Sequence, residues 1–157
     1  MTGTGEPQLK VRLQADLTAA MKSRDELATA TLRMALTAVT NEEVAGKQAR
    51  ELSDDEVQAV LRRELKKRTE AAQAFADGGR AESAQRERDE ADVLQRYLPA
   101  QLDDAELGQL VAAAVASVGA TSPREMGSVM KAVQPMVAGR ADGGRVAAAV
   151  KAALGAG

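Results

Sequence analysis

Neither cysteine nor histidine occurs anywhere in the 157 residues. That double absence removes thiol nucleophiles, imidazole general bases and the nitrogen and sulfur donors of most zinc and transition-metal sites. Any catalysis would need a Ser or Lys nucleophile, or a carboxylate pair, in a water-excluding pocket. No motif of the chain marks such a pocket, so we assign no catalytic residue, no metal and no cofactor. Aromatic residues are confined to Phe75 and Tyr97. The cores must therefore be built from Leu, Val, Met and abundant Ala, which suits closely approaching helices and suits a sheet poorly. Long apolar runs are missing as well: none approaches the ~20 residues that span a bilayer. Residues 1–8 also lack the apolar core of a signal peptide. The expectation is a cytoplasmic protein with no membrane partner.

The net charge of −2 is unevenly spread. Before Pro99 there are sixteen Lys/Arg against eighteen Asp/Glu, whereas after Leu107 there are five basic residues against two acidic ones. The end of the chain is thus mildly basic, which is compatible with a nucleic-acid contact but falls short of arguing for one unaided.

Apolar spacing predicts helices throughout. Residues 1–8, with two Gly, two Thr and a Pro, read as a flexible tail. Leu9, Leu13, Leu17 and Met21 then recur at four-residue steps as the stripe of a first helix. Asp25 caps a second helix, which is expected to run to about Ala45 with Gly46 as terminator. Ser53 with Glu56 forms a capping box ahead of a long third helix that Gly78 and Gly79 close. A charged fourth helix runs from about Ala81 to Leu98, and Pro99 stops it and marks a domain boundary. Asp103 with Glu106 is a second capping box, opening a fifth helix that ends at Gly119. Ser122, Pro123 and Glu125 start a sixth, expected to last to Pro135, and Asp142 caps the last. The fold class is all-α: about four helices in an N-terminal domain, residues 9–98, and a C-terminal three-helix domain, residues 99–157.

Spacing also picks out candidate sites. At 100° per residue, Glu64 and Arg68 fall on the apolar side of the third helix, Glu43 on that of the second, and Arg86 and Glu90 beside Val93 and Tyr97 on the fourth. These charges are expected to meet between helices as a register-fixing network. A bundle di-metal site is the competing reading, but it takes a His that this chain lacks. On the opposite side of the third helix Arg62, Arg63 and Lys66 make a positive ridge, partly neutralised by Glu64 and Glu70. With no interleaved aromatic, such a ridge offers nucleic acid backbone electrostatics alone.

In the C-terminal domain Gly127 sits early in a helix, where Gly costs about 1 kcal/mol relative to Ala. Close helix packing or the approach of a partner would account for it. The run Gly139-Arg140-Ala141-Asp142-Gly143 places a cation before a helix N-terminus. It reads either as a phosphate seat or as a turn whose free N–H groups Asp142 already caps.

Four ordered segments carry a family resemblance: Arg33-Met34 through Asn41-Glu42-Glu43-Val44, Val93-Leu94-Gln95-Arg96-Tyr97-Leu98-Pro99, Met126-Gly127-Ser128-Val129-Met130-Lys131, and Gly139-Arg140-Ala141-Asp142-Gly143. Together they resemble the GatB/YqeY domain family, over about Leu9 to Leu154. That family is similar to the tail of the B subunit of tRNA-dependent amidotransferase, a carbon–nitrogen ligase with glutamine as amido donor. The resemblance implies a helical N-terminal domain, a three-helix tail and tRNA as partner, with Arg124, Lys131, Arg140 and Arg145 as nucleic-acid-binding candidates beside Arg62, Arg63 and Lys66. Gly127, Gly139 and Asp142 are the close-approach and structural positions. A protein-interaction adaptor is the alternative, with Met126, Met130 and Met136 as an adaptable surface. Participation in amide transfer rests on family association, since the chain has no glutaminase Cys, no Ser/Lys amidase signature and no ATP loop.

Overall fold

The computed structural model describes residues 8–155, and every described element is helical or turn. The elements are α1 (Gln8–Ser23), α2 (Glu26–Glu43), α3 (Asp54–Asp77), α4 (Ala81–Gln95), α5 (Asp104–Val118), a 3-10 turn (Pro123–Glu125), α6 (Met126–Val137) and α7 (Gly143–Gly155). The expected tail lies outside the described residues, except that Gln8 is already the first residue of α1. The chain divides into two compact units, one ending at Leu98 and the other beginning at Pro99.

In the first unit α1 pairs with α2 and α3 with α4, while α2 packs on both helices of the second pair. Its core gathers Leu13, Leu32, Val39, Val57, Leu61 and Leu94, all essentially sealed from solvent. Burying each such side chain contributes about 1.5–3 kcal/mol. The start of α3 is fixed locally: the Ser53 hydroxyl accepts from Glu56 N and the Glu56 carboxylate accepts from Ser53 N, both at 3.2 Å. A guanidinium–carboxylate contact of 2.6 Å from Arg50 holds Glu56 below the usual carboxylate range, and the Ser53 N–H adds to the effect.

In the first unit two helix ends differ from expectation. α2 stops at Glu43 rather than near Ala45, because the Glu43 carbonyl takes the N–H of Arg50 (3.0 Å) as the chain turns back; Gly46 has no part in it. α4 stops at Gln95, and Tyr97 and Leu98 follow in tight turns donated to Leu94 O and Gln95 O. Both side chains still join Val93 and Leu94 in the core.

In the second unit α5 packs on both α6 and α7 around Val111, Val129, Val133, Val146 and Val150. The Asp103–Glu106 box opens α5 and a left-handed Gly119 (φ 73°) closes it. The Ser122–Pro123–Glu125 start signal produces the 3-10 turn, with Glu125 Oε2 accepting from Thr121 N and Ser122 N at 2.6 and 3.0 Å. α6 proper begins one residue later, at Met126. Pro135 does not end it. The proline lies inside the helix and deprives the Lys131 carbonyl of its i→i−4 donor, yet the helix continues and places Val137 in the core. The chain then reverses through two consecutive left-handed residues, Ala138 (φ 51°) and Gly139 (φ 74°).

Candidate functional site

The four basic candidates of the second unit separate into two pairs once their partners are known. Arg140 is tied to the chain's entry into this unit: its Nε donates to Ala100 O at 3.1 Å, and its own carbonyl accepts from Leu102 N at 2.7 Å. Leu102 is thereby held in the core. Arg145 Nη2 lies 2.9 Å from Asp104 Oδ1, bracing the start of α7 against the start of α5. Arg124 and Lys131 are exposed and make no ion pair among the described residues.

The anion reading of the α7 N-terminus meets a competitor in the chain itself. Asp142 Oδ1 accepts from Gly144 N at 2.6 Å and from Arg145 N at 3.3 Å, so a carboxylate already occupies the donors a phosphate would use. Gly144 permits this close contact, since a Cβ there would stand 3.1 Å from the same oxygen. Gly139 is explained by its positive φ.

Gly127 is not explained by packing. It is exposed, and a Cβ built on it meets nothing within 4 Å. The close-packing account is therefore corrected: no neighbour in its own unit requires the missing side chain. Arg124, Gly127, Ser128 and Lys131 recur at steps of three, one and three and are all exposed, forming a low outer face with an unpaired cation at each end. Of the three methionines, Met126 and Met130 pack against the core and Met136 is exposed.

The ridge on α3 is more thoroughly neutralised than the chain order suggested. Arg63 pairs with Glu42 of α2 at 3.3 Å, Lys66 lies 4.0 Å from Glu70, and Lys67 lies 3.2 Å from Glu64. Arg62, Arg63 and Lys66 do line one open depression, but Glu42 and Glu56 line it with them.

The inward charges of the first unit meet as a network centred on Arg68. Its guanidinium lies 3.6 Å from Glu64, 3.4 Å from Glu87 and 3.8 Å from Glu90, while its buried Nε has no hydrogen-bond partner. Glu90 is also paired to Arg86, whose side chain is largely exposed. Glu43 is buried against Lys10, whose Nζ donates to both carboxylate oxygens at 2.8 and 3.0 Å. Among the described residues no acidic cluster is arranged to hold a metal. Sequence reasoning missed three participants: Lys10, Glu87 and the Asp16 that accepts from the Tyr97 hydroxyl at 2.6 Å. Arg12 lies over the same ring, 4.7 Å from its centroid. Burial and the Asp16 carboxylate push the Tyr97 phenol up to about 12.

A family profile described as Yqey-like protein matches residues 10–154. The chain is also similar to "Altered inheritance of mitochondria protein 41, mitochondrial" of Pyrenophora tritici-repentis (strain Pt-1C-BFP). The identity is 29% over 144 residues, covering 89% of this chain and 77% of the relative. The relative's name places it in mitochondria, whereas the expectation for this chain is the cytoplasm. No described helix is long and apolar enough to cross a membrane.

Proposed function

Because the chain belongs to the Yqey-like family, we propose that it acts as a non-catalytic accessory protein that binds tRNA in the cytoplasm, through the outer face of α6 and the 3-10 turn before it. The observation that carries this reading is the placement of Arg124 and Lys131, exposed and unpaired among the described residues, on either side of Gly127 and Ser128. A phosphate backbone approaches such a face without displacing an internal ion pair or meeting a bulky side chain. The similarity of the family to an amidotransferase tail supports tRNA over other polyanions. Arg140 and Arg145 hold the entry to this unit and the start of α7, and the partly balanced ridge on α3 is a weaker second contact.

The reading is tested by tRNA binding as a function of salt. Replacing Arg124 and Lys131 by Glu is expected to weaken binding and to flatten the slope of log affinity against log salt by about two. A slope unchanged by both substitutions would remove α6 from the contact, and no binding at low salt would sink the proposal. Amide transfer is tested separately, by glutamine-dependent conversion of Glu-tRNA with ATP and this protein alone. No turnover is the expected result.

A further inference from the structure

A second surface lies in the first unit, between α1 and α2, where Leu17, Arg33, Leu36, Thr37, Thr40 and Asn41 line an open depression of about 410 Å³. Leu17 and Leu36 pack against the core on one side and reach this depression on the other, so its floor is apolar. Arg33 stands over that floor, exposed and without an ion pair among the described residues; its Nη2 rests 3.8 Å from the sulfur of Met21. No acid answers it along the helix, since the residues three and four positions away are Thr29, Ala30, Leu36 and Thr37. The depression between α2 and α3 is nearly the same size, about 400 Å³, yet there Glu42 and Glu56 share the lining with the cations. No carboxylate lines the α1–α2 depression beside Arg33.

The geometry points to a docking groove for an acidic amphipathic helix of a protein partner, with its apolar side chain on Leu17 and Leu36 and its carboxylate on Arg33. Charge complementarity fixes the sign of the occupant, and the apolar floor fixes its other half. A single guanidinium over leucines is not the row of cations that a phosphate backbone requires, and no aromatic is present to stack a base. The groove is too open to enclose a small molecule. Met21, half exposed at the end of α1, adds an adaptable apolar edge. This surface is separate from the outer face of α6, and its test does not depend on RNA binding.

The full chain, labelled with nitrogen-15, is titrated with a synthetic helical peptide that repeats Leu and Glu four residues apart on one face. The same peptide with Gln for Glu, and a short single-stranded RNA, are titrated in parallel. The Glu peptide is expected to shift the amides of Leu17, Leu36, Thr37 and Asn41, and the Gln peptide to bind about five-fold more weakly or worse. Arg33→Glu should abolish the response to the Glu peptide and restore binding to a peptide with Lys in its place, while Arg124→Glu leaves both unchanged. Equal binding of the Glu and Gln peptides, shifts confined to other surfaces, or no binding of the Glu peptide would overturn the proposal. So would RNA producing the same shifts, or self-association of the chain that Arg33→Glu removes.

Discussion

The two units solve the same packing problem with different chemistry. Among the described residues the first holds ten of the eleven ion pairs and both buried carboxylates, Glu43 and Glu64. The second relies on valines, capping boxes and the Arg140 staple, with Arg145–Asp104 as its ion pair. The difference is not one of net charge. Residues 99–157 carry five Lys/Arg and five Asp/Glu, so the basic excess seen after Leu107 is cancelled by Asp103, Asp104 and Glu106 at the head of α5. What distinguishes the second unit is how few of its cations meet a carboxylate. Among the described residues carboxylates engage eight of the sixteen cations of the first unit, whereas in the second they engage Arg145 alone of five, and Arg124 and Lys131 have none. A charge that is internally matched fixes helix register, and an unmatched one is available to a partner.

The largest expected effect comes from breaking the network that sets the first unit apart. Arg68→Met leaves Glu64, Glu87 and Glu90 facing one another without their shared cation and should cost about 3 kcal/mol in urea denaturation. Adding Glu64→Gln should recover part of that loss. If Arg68→Met proves neutral, the network is ornamental and the contrast between the units fails.

The contrast is sharpened by the single tyrosine. Tyr97 should titrate by ultraviolet absorbance near 12 in the folded protein against about 10 in denaturant, and Asp16→Asn should bring the folded value down. Because the folded-state value is raised, this contribution to stability is fully present below about pH 10 and is lost as the pH climbs through 12. A midpoint near 10 in the native protein would show that the Tyr97–Asp16 contact does not persist in solution.

The smallest effect has the opposite sign. Gly127→Ala puts a methyl group where nothing lies within 4 Å, so it should stabilise the second unit by up to about 1 kcal/mol in thermal or urea unfolding. Under the function proposed for α6, the same substitution should weaken tRNA binding. Stabilisation without loss of binding would mean that Gly127 has no partner to accommodate.

Much of the fold was legible in the sequence because its signals are local. The boxes at Ser53–Glu56 and Asp103–Glu106, the Asp25 cap and the Asp142 cap act within four residues of chain, and each forms as the spacing predicts. Pro135 and Gly46 misled for the complementary reason. Whether a helix stops depends on what its last turn packs against, and Val137 and Glu43 decided those ends from inside their units. The candidate site was read less well. Arg140 and Arg145 are as basic in the sequence as Arg124 and Lys131, and nothing in their spacing reveals that Ala100 and Asp104, about forty positions away, engage them.

Composition and periodicity by themselves determined an all-helical protein, with aliphatic cores, charges on the inner faces of the second, third and fourth helices, and no thiol or imidazole chemistry. Hydrophobic period and capping are properties of neighbouring residues, so one strand of text carries them in full. Only the tertiary structure decided which charges are engaged: Lys10 with Glu43, Arg68 with three carboxylates, Arg145 with Asp104, and Arg124, Lys131 and Arg33 without a carboxylate among the described residues. An ion pair depends on separation in space to within a few ångströms. Positions thirty or forty residues apart acquire that separation when the helices pack.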